Sequence, residues 1–90
     1  MKYKLKEGFV LKNIGGENIV ITSADTLNLN VMISLNDTGA FIWNNLSEWI
    51  SKDDIVKLLL DEYDVEENYA QKCVKSFIDE LLDKGYLETN

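Results

Sequence analysis

The sequence predicts one α+β domain over residues 1–90, with a three-stranded antiparallel sheet followed by a bundle of three helices. Two observations carry this. Apolar residues recur at every second position before residue 36 and at every third or fourth after it. Each helix-period segment also opens on a residue type that caps helix N-termini. Ninety residues leave room for a single hydrophobic core.

Phe9 to Ile14 and Asn18 to Thr22 are strand-like runs rich in Val and Ile, and Gly15-Gly16 between them suits a tight hairpin. After a turn at Ser23-Ala24-Asp25, Leu27 to Leu35 alternates nearly strictly: Leu27, Leu29, Val31, Ile33 and Leu35 share one face, and Asn28, Asn30, Met32 and Ser34 share the other. The first third therefore reads as a meander of three strands. Asn36 or Asp37 caps the first helix, whose apolar positions are Ala40, Trp43, Leu46 and Ile50. Ser51 with Asp54 forms a capping box opening a second helix that carries Ile55, Leu58, Leu59 and Tyr63. Asp64 with Glu67 reads as another box, opening a third helix that buries Ala70, Val74, Phe77, Ile78 and Leu81. Gly85 stands where a left-handed C-cap is wanted, and Tyr86 and Leu87 return to the core.

Composition excludes several chemistries. Sixteen acidic against nine basic residues give a net charge of -7, which opposes nucleic-acid binding because that affinity comes largely from neutralised phosphates. With no histidine and one cysteine, neither a Cys-His pair nor a structural zinc site can be assembled. A non-enzyme without cofactor or metal is expected. No run approaches the ~20 apolar residues of a membrane span. The basic residues between Met1 and Lys6 precede no apolar core, so no signal peptide is expected. A lone Cys73 fits a reducing, cytoplasmic setting.

The acidic residues Asp61, Glu62, Asp64, Glu66 and Glu67 lack calcium-loop spacing and read as favourable charge near a helix N-terminus. Cys73 reads as a small hydrophobe at the margin of its helix's apolar stripe. Trp43 belongs to the core, whereas Trp49, about 120° round the helix, covers the helix junction or stays partly exposed. The strand from Leu27 to Leu35 is the informative feature. It is a sheet edge with no proline and no charge between Thr26 and Asn36, so it lacks the devices that block strand addition. An added peptide strand, the N-terminal segment or a second copy of the chain could cover it.

The run Leu35-Asn36-Asp37-Thr38-Gly39-Ala40-Phe41-Ile42-Trp43, then Ile55, Leu59 and Tyr63, and finally Leu81-Leu82-Asp83-Lys84-Gly85-Tyr86-Leu87, closely resembles the PqqD family over roughly residues 8 to 88. Where many members have an Asp-Gly turn and a Thr after the Trp helix, this chain has Ser47-Glu48-Trp49-Ile50-Ser51, in which Ser51 can still cap. The resemblance implies a winged-helix-like domain that recognises the leader segment of a ribosomally synthesised precursor peptide and presents it to a modifying enzyme, often a radical SAM protein. It implies that the leader adds a strand in the groove between the third strand and the third helix. The candidate peptide-binding residues are then Leu29, Asn30, Val31, Met32, Ile33 and Ser34 on the strand, and Lys72, Cys73, Lys75, Phe77 and Ile78 on the helix. The sequence does not decide which flank of that helix faces the groove. Two other readings compete: a scaffolding module that dimerises through the same edge, and a winged-helix DNA-binding regulator. Glu66, Glu67, Asp79, Glu80 and Asp83 offset Lys72, Lys75 and Lys84 and disfavour the regulator. Within the leading reading, a quinone cofactor, a lasso peptide and a thioether peptide all remain open as products.

Overall fold

The computed structural model of the chain describes residues 1–22 and 31–90. Its elements in chain order are β1 (Tyr3–Leu5), β2 (Phe9–Ile14), β3 (Glu17–Thr22), β4 (Val31–Leu35), α1 (Asp37–Asn45), α2 (Lys52–Glu62), α3 (Glu67–Asp83) and β5 (Leu87–Thr89). β2, β3 and β4 form the expected antiparallel meander in that spatial order, so β2 and β4 are its edges. The α+β architecture, sheet first and helices after, is as the sequence predicts.

The hairpin turns on Gly15 and Gly16, whose φ angles of 60° and 85° are the pair of positive values that a type I′ turn requires. This turn also sets the direction of the hydrogen bonds beyond it. Across a two-residue loop the closing pair, here Ile14 and Glu17, is hydrogen-bonded, and bonded and non-bonded pairs alternate from there. Ile19 therefore bonds toward β2, while Asn18 and Val20 bond toward β4, where they meet Leu35 and Ile33. Ser34, opposite Ile19, directs its N–H and C=O away from β3, to the open side. Beyond Val20 the register shifts: Ile21 stands opposite Val31, leaving Met32 as the extra residue of a bulge. The bulge interrupts the strict alternation expected through Leu35, and the expected upper part of the strand, Leu27 to Asn30, lies outside the described residues.

One core lies between the inner face of the sheet and the helices. Val20 and Leu35 meet Ile42, Trp43, Ile55, Leu59, Val74 and Ile78 there. Tyr86 joins the layers, with its ring 4.7 Å from Phe9 and 6.1 Å from Trp43 in edge-on geometry. On the outer face of the hairpin Val10 and Ile14 are exposed. Trp49 is 42% exposed, whereas Trp43 is buried.

Two of the three predicted N-caps form. The Asn36 side chain accepts the Gly39 N–H at 2.8 Å, and the Ser51 hydroxyl accepts the Asp54 N–H at 3.2 Å. The predicted Asp64–Glu67 box does not. α3 starts at Glu67 with Glu66 as its cap residue and no side-chain cap bond. Tyr63 and Val65 pack against the core from the preceding turn, which leaves Asp64 in solvent. At the other end, Gly85 has φ 81° and its N–H bonds to the Leu82 carbonyl, while Tyr86 bonds to Leu81, a Schellman motif.

β1 and β5, which no local sequence pattern announces, pair with each other as a second sheet, Tyr3 opposite Thr89. β1 also ties down the α1–α2 junction: Tyr3 and Ile50 exchange bonds of 2.8 and 3.0 Å, and the Leu5 N–H reaches the Leu46 carbonyl at 2.9 Å.

Candidate functional site

β4 runs directly into α1 through the Asn36 cap, so the sheet edge and the first turn of α1 are continuous. Gly39 sits in that turn. A Cβ there would stand 3.4 Å from the Leu35 Cβ, 3.3 Å from Asn36 Oδ1 and 3.5 Å from Phe77 Cε1. The missing side chain thus leaves the α3 ring in contact distance of the α1 backbone. Beside this contact opens a cleft of about 390 Å³. Its α1 wall is Asn36, Thr38, Gly39 and Ile42, and its α3 wall is Tyr69, Lys72, Cys73, Ser76, Phe77 and Glu80.

The α3 residues answer the question of flank. At about 100° per residue, positions 69, 73, 76 and 80 form one stripe, with 72 and 77 on its shoulders. Ala70, Val74, Ile78 and Leu81, each 0% exposed, form the core face. Ile78 is therefore a correction to the expected site: it packs inside and offers no surface to a ligand. Lys75 lies off the cleft stripe. Its ammonium is 3.7 Å from the Asp79 carboxylate, which also takes Lys52 from α2 at 3.8 Å. Lys72, Cys73 and Phe77 do line the cleft, Cys73 and Phe77 half-buried and Lys72 exposed. Lys72 makes no ion pair among the described residues, whereas Glu80 holds Lys84 at 3.0 Å. The Cys73 thiol beside Tyr69 pushes that phenol above its ordinary value.

On the strand, Ile33 turns inward and is half-buried against the core, and Ser34 is exposed. Val31 and Met32 belong to the edge by their backbone, while Leu29 and Asn30 lie outside the described residues. Asn36, Thr38, Gly39, Tyr69, Ser76 and Glu80 line the cleft beyond the residues expected from the sequence. Helical arithmetic from Cys73 reaches Tyr69 and Ser76, four before and three after it. The Asn36-x-Thr-Gly39 run contains a visible cap whose place beside α3 is a tertiary fact. A second hollow of about 450 Å³ lies along another side of α1, where the Phe41 and Tyr63 rings meet at 5.7 Å, tilted by 48°, beside Asp37 and Glu62.

The sequence pattern of the family described as coenzyme PQQ synthesis protein D (PqqD) matches residues 9–87. The chain belongs to the PqqD family. No curated protein matches it. Among solved structures, the PqqD-family chain is similar to TbiB1 in complex with the TbiA(beta) leader peptide, at 23% identity and TM-score 0.73 over 97% of this chain and 96% of that one. It is also similar to a lasso peptide synthetase B1 complexed with the leader peptide, at 20% identity and TM-score 0.75 over 99% and 100%. Both proteins share its fold, and both hold a leader peptide. The PqqD match spans β2 to α3 and with them every residue of the cleft. Among the described residues, no helix is long and apolar enough to cross a membrane.

Proposed function

We propose that this chain is a non-catalytic recognition domain that binds the leader segment of a ribosomally synthesised precursor peptide in the cytoplasm and presents it to a modifying enzyme, a radical SAM protein being the expected class. The observation that carries the reading is the open β4 edge, in which Ser34 stands opposite Ile19, with the Gly39–Phe77 cleft at its end, in a PqqD-family fold. The leader-peptide complexes of two similarly folded proteins support it.

A disordered leader pairs its backbone with the outward N–H and C=O groups of β4 and loses conformational entropy as it orders. Backbone pairing is tolerant of sequence, so selectivity falls to the side chains that enter the cleft. The enzyme then meets a tethered substrate at raised effective concentration, and the domain needs no reacting group of its own.

Titration of the ¹⁵N-labelled chain with synthetic leader peptides from neighbouring precursor genes tests the proposal. Shifts confined to Val31–Leu35, the first turn of α1 and the cleft stripe of α3, with micromolar or tighter affinity, are expected. If no neighbouring leader moves these amides and the mass of the chain rises with concentration instead, a second copy occupies the edge and the proposal fails.

A further inference from the structure

The helices cover one face of the sheet. Phe9, Leu11 and Val20 pack against the core there, so alternation turns Val10, Lys12, Ile14, Glu17, Ile19 and Ile21 to the other face. Val10 is 37% and Ile14 55% exposed, and Ile19 and Ile21 are half-buried outside the core cluster. Val10 stands opposite Ile21, and Ile19 is diagonal to both Val10 and Ile14, so the four aliphatics form one patch. Lys12 and Glu17 cancel, which leaves this face of the hairpin neutral on a chain of net charge -7. An apolar centre depleted of net charge is the composition of an interface core.

The patch runs on to the open β4 edge, where Ile19 stands opposite the exposed Ser34. A strand added to β4 sends alternate side chains to opposite faces, half toward the cleft and half beside Ser34 on the outer face. Six residues by three strands make a face of roughly 300 Å². That is well short of the ~800 Å² each partner contributes to a stable interface. Two copies at -7 each also repel, so a second copy is a poor occupant. A partner that touches the patch and the bound leader together gains the missing area.

Building on the leader-binding reading, we infer that the outer face of the β2–β3 hairpin docks the modifying enzyme, and that the bound leader completes this surface with every second side chain. The enzyme brings an apolar patch with an acidic side chain that faces Lys12. Docking is thereby coupled to loading: an empty domain offers only part of the surface.

The test uses the full chain, a synthetic leader from a neighbouring precursor gene and the purified modifying enzyme encoded beside it. Saturating leader is expected to tighten enzyme binding about tenfold, and the enzyme to tighten leader binding by the same factor. Val10→Thr with Ile14→Thr keeps β-branched residues in the strand, leaves leader affinity unchanged and weakens enzyme binding about tenfold. Lys12→Gln weakens it about two- to fivefold, as for an exposed ion pair. Single alanine substitutions along the leader are expected to alternate, one set weakening its binding to the domain and the other only the recruitment of enzyme. Unchanged enzyme affinity in the threonine variant or in Lys12→Gln, enzyme binding indifferent to leader, or no enzyme binding with leader bound overturns the inference alone. A wild-type chain that dimerises while the threonine variant stays monomeric overturns it in favour of a second copy. If no neighbouring leader binds the chain, the reading beneath it fails as well.

Discussion

Replacing Gly39 by alanine sets two local effects of opposite sign against each other and separates folding from binding. Gly39 is helical, outside the positive-φ glycines, so alanine meets no backbone strain there. Helix propensity favours alanine by up to about 1 kcal/mol. Against that, the new Cβ would stand 3.3 Å from Asn36 Oδ1, the atom that accepts the Gly39 N–H at 2.8 Å. The cap must yield a few tenths of an ångström, and the whole cap contributes about 1 kcal/mol. The two effects nearly cancel, so the melting temperature is expected to move by no more than about 4–8 °C in either direction. Binding does not share this compensation. The methyl group adds to the floor of the cleft at 3.5 Å from Phe77 Cε1, and a ligand side chain seated there is overpacked, for an expected loss of about tenfold in leader affinity. Thermal unfolding by circular dichroism and a leader titration on the same sample read the two quantities. A destabilisation beyond about 3 kcal/mol, which overpacking reaches when neighbours cannot yield, would refute the reasoning on packing. Unchanged leader affinity would refute the placement of the site.

The direction of the β4 bonds predicts that Ser34→Pro removes leader binding while the fold survives, whereas Ile33→Pro breaks a ladder bond to β3 and lowers the melting temperature; the reverse pattern would show the hydrogen-bond count from the Gly15-Gly16 turn to be wrong. Asn36→Ala, which loses the α1 cap, is expected to cost about 1 kcal/mol, read as a fall of about 4–8 °C in melting temperature. Ile78→Ala is expected to cost about 2–5 kcal/mol in denaturant unfolding, as a fully buried core residue does; a cost below 1 kcal/mol would return Ile78 to the cleft surface. Absorbance titration of Tyr69 should place its midpoint above that of an ordinary tyrosine, and Cys73→Ala should bring it back down, because the thiol is the main cause of the shift.

What the sequence made legible was what local chemistry determines. The change of period near residue 36 marks the passage from sheet to helices, Gly15-Gly16 makes the hairpin, and Asn36, Ser51 and Gly85 cap where expected. The Asp64–Glu67 box has a suitable spacing but is overridden, because core packing of Tyr63 and Val65 sets how the chain enters α3. β1 and β5 are three residues each and gain their pairing from the opposite end of the chain, so no local pattern announces them. The site divides the same way. Lys72, Cys73 and Phe77 were accessible from the edge of an amphipathic stripe, while the part played by Gly39 depends on α3 lying against it.

The pairing of β1 with β5 has a kinetic meaning. Tyr3 and Thr89 stand opposite each other across nearly the entire chain, whereas the Gly15-Gly16 hairpin closes only two residues. Loop-closure entropy grows as about (3/2)RT ln n, so this strap gains little until the helices have already brought the two ends together. It is expected to form after the transition state, so that weakening Tyr3 speeds unfolding far more than it slows folding. The strap thus acts as a latch on residence time in the folded state, fastened at the α1–α2 junction, where Ile50 holds Tyr3 by two hydrogen bonds.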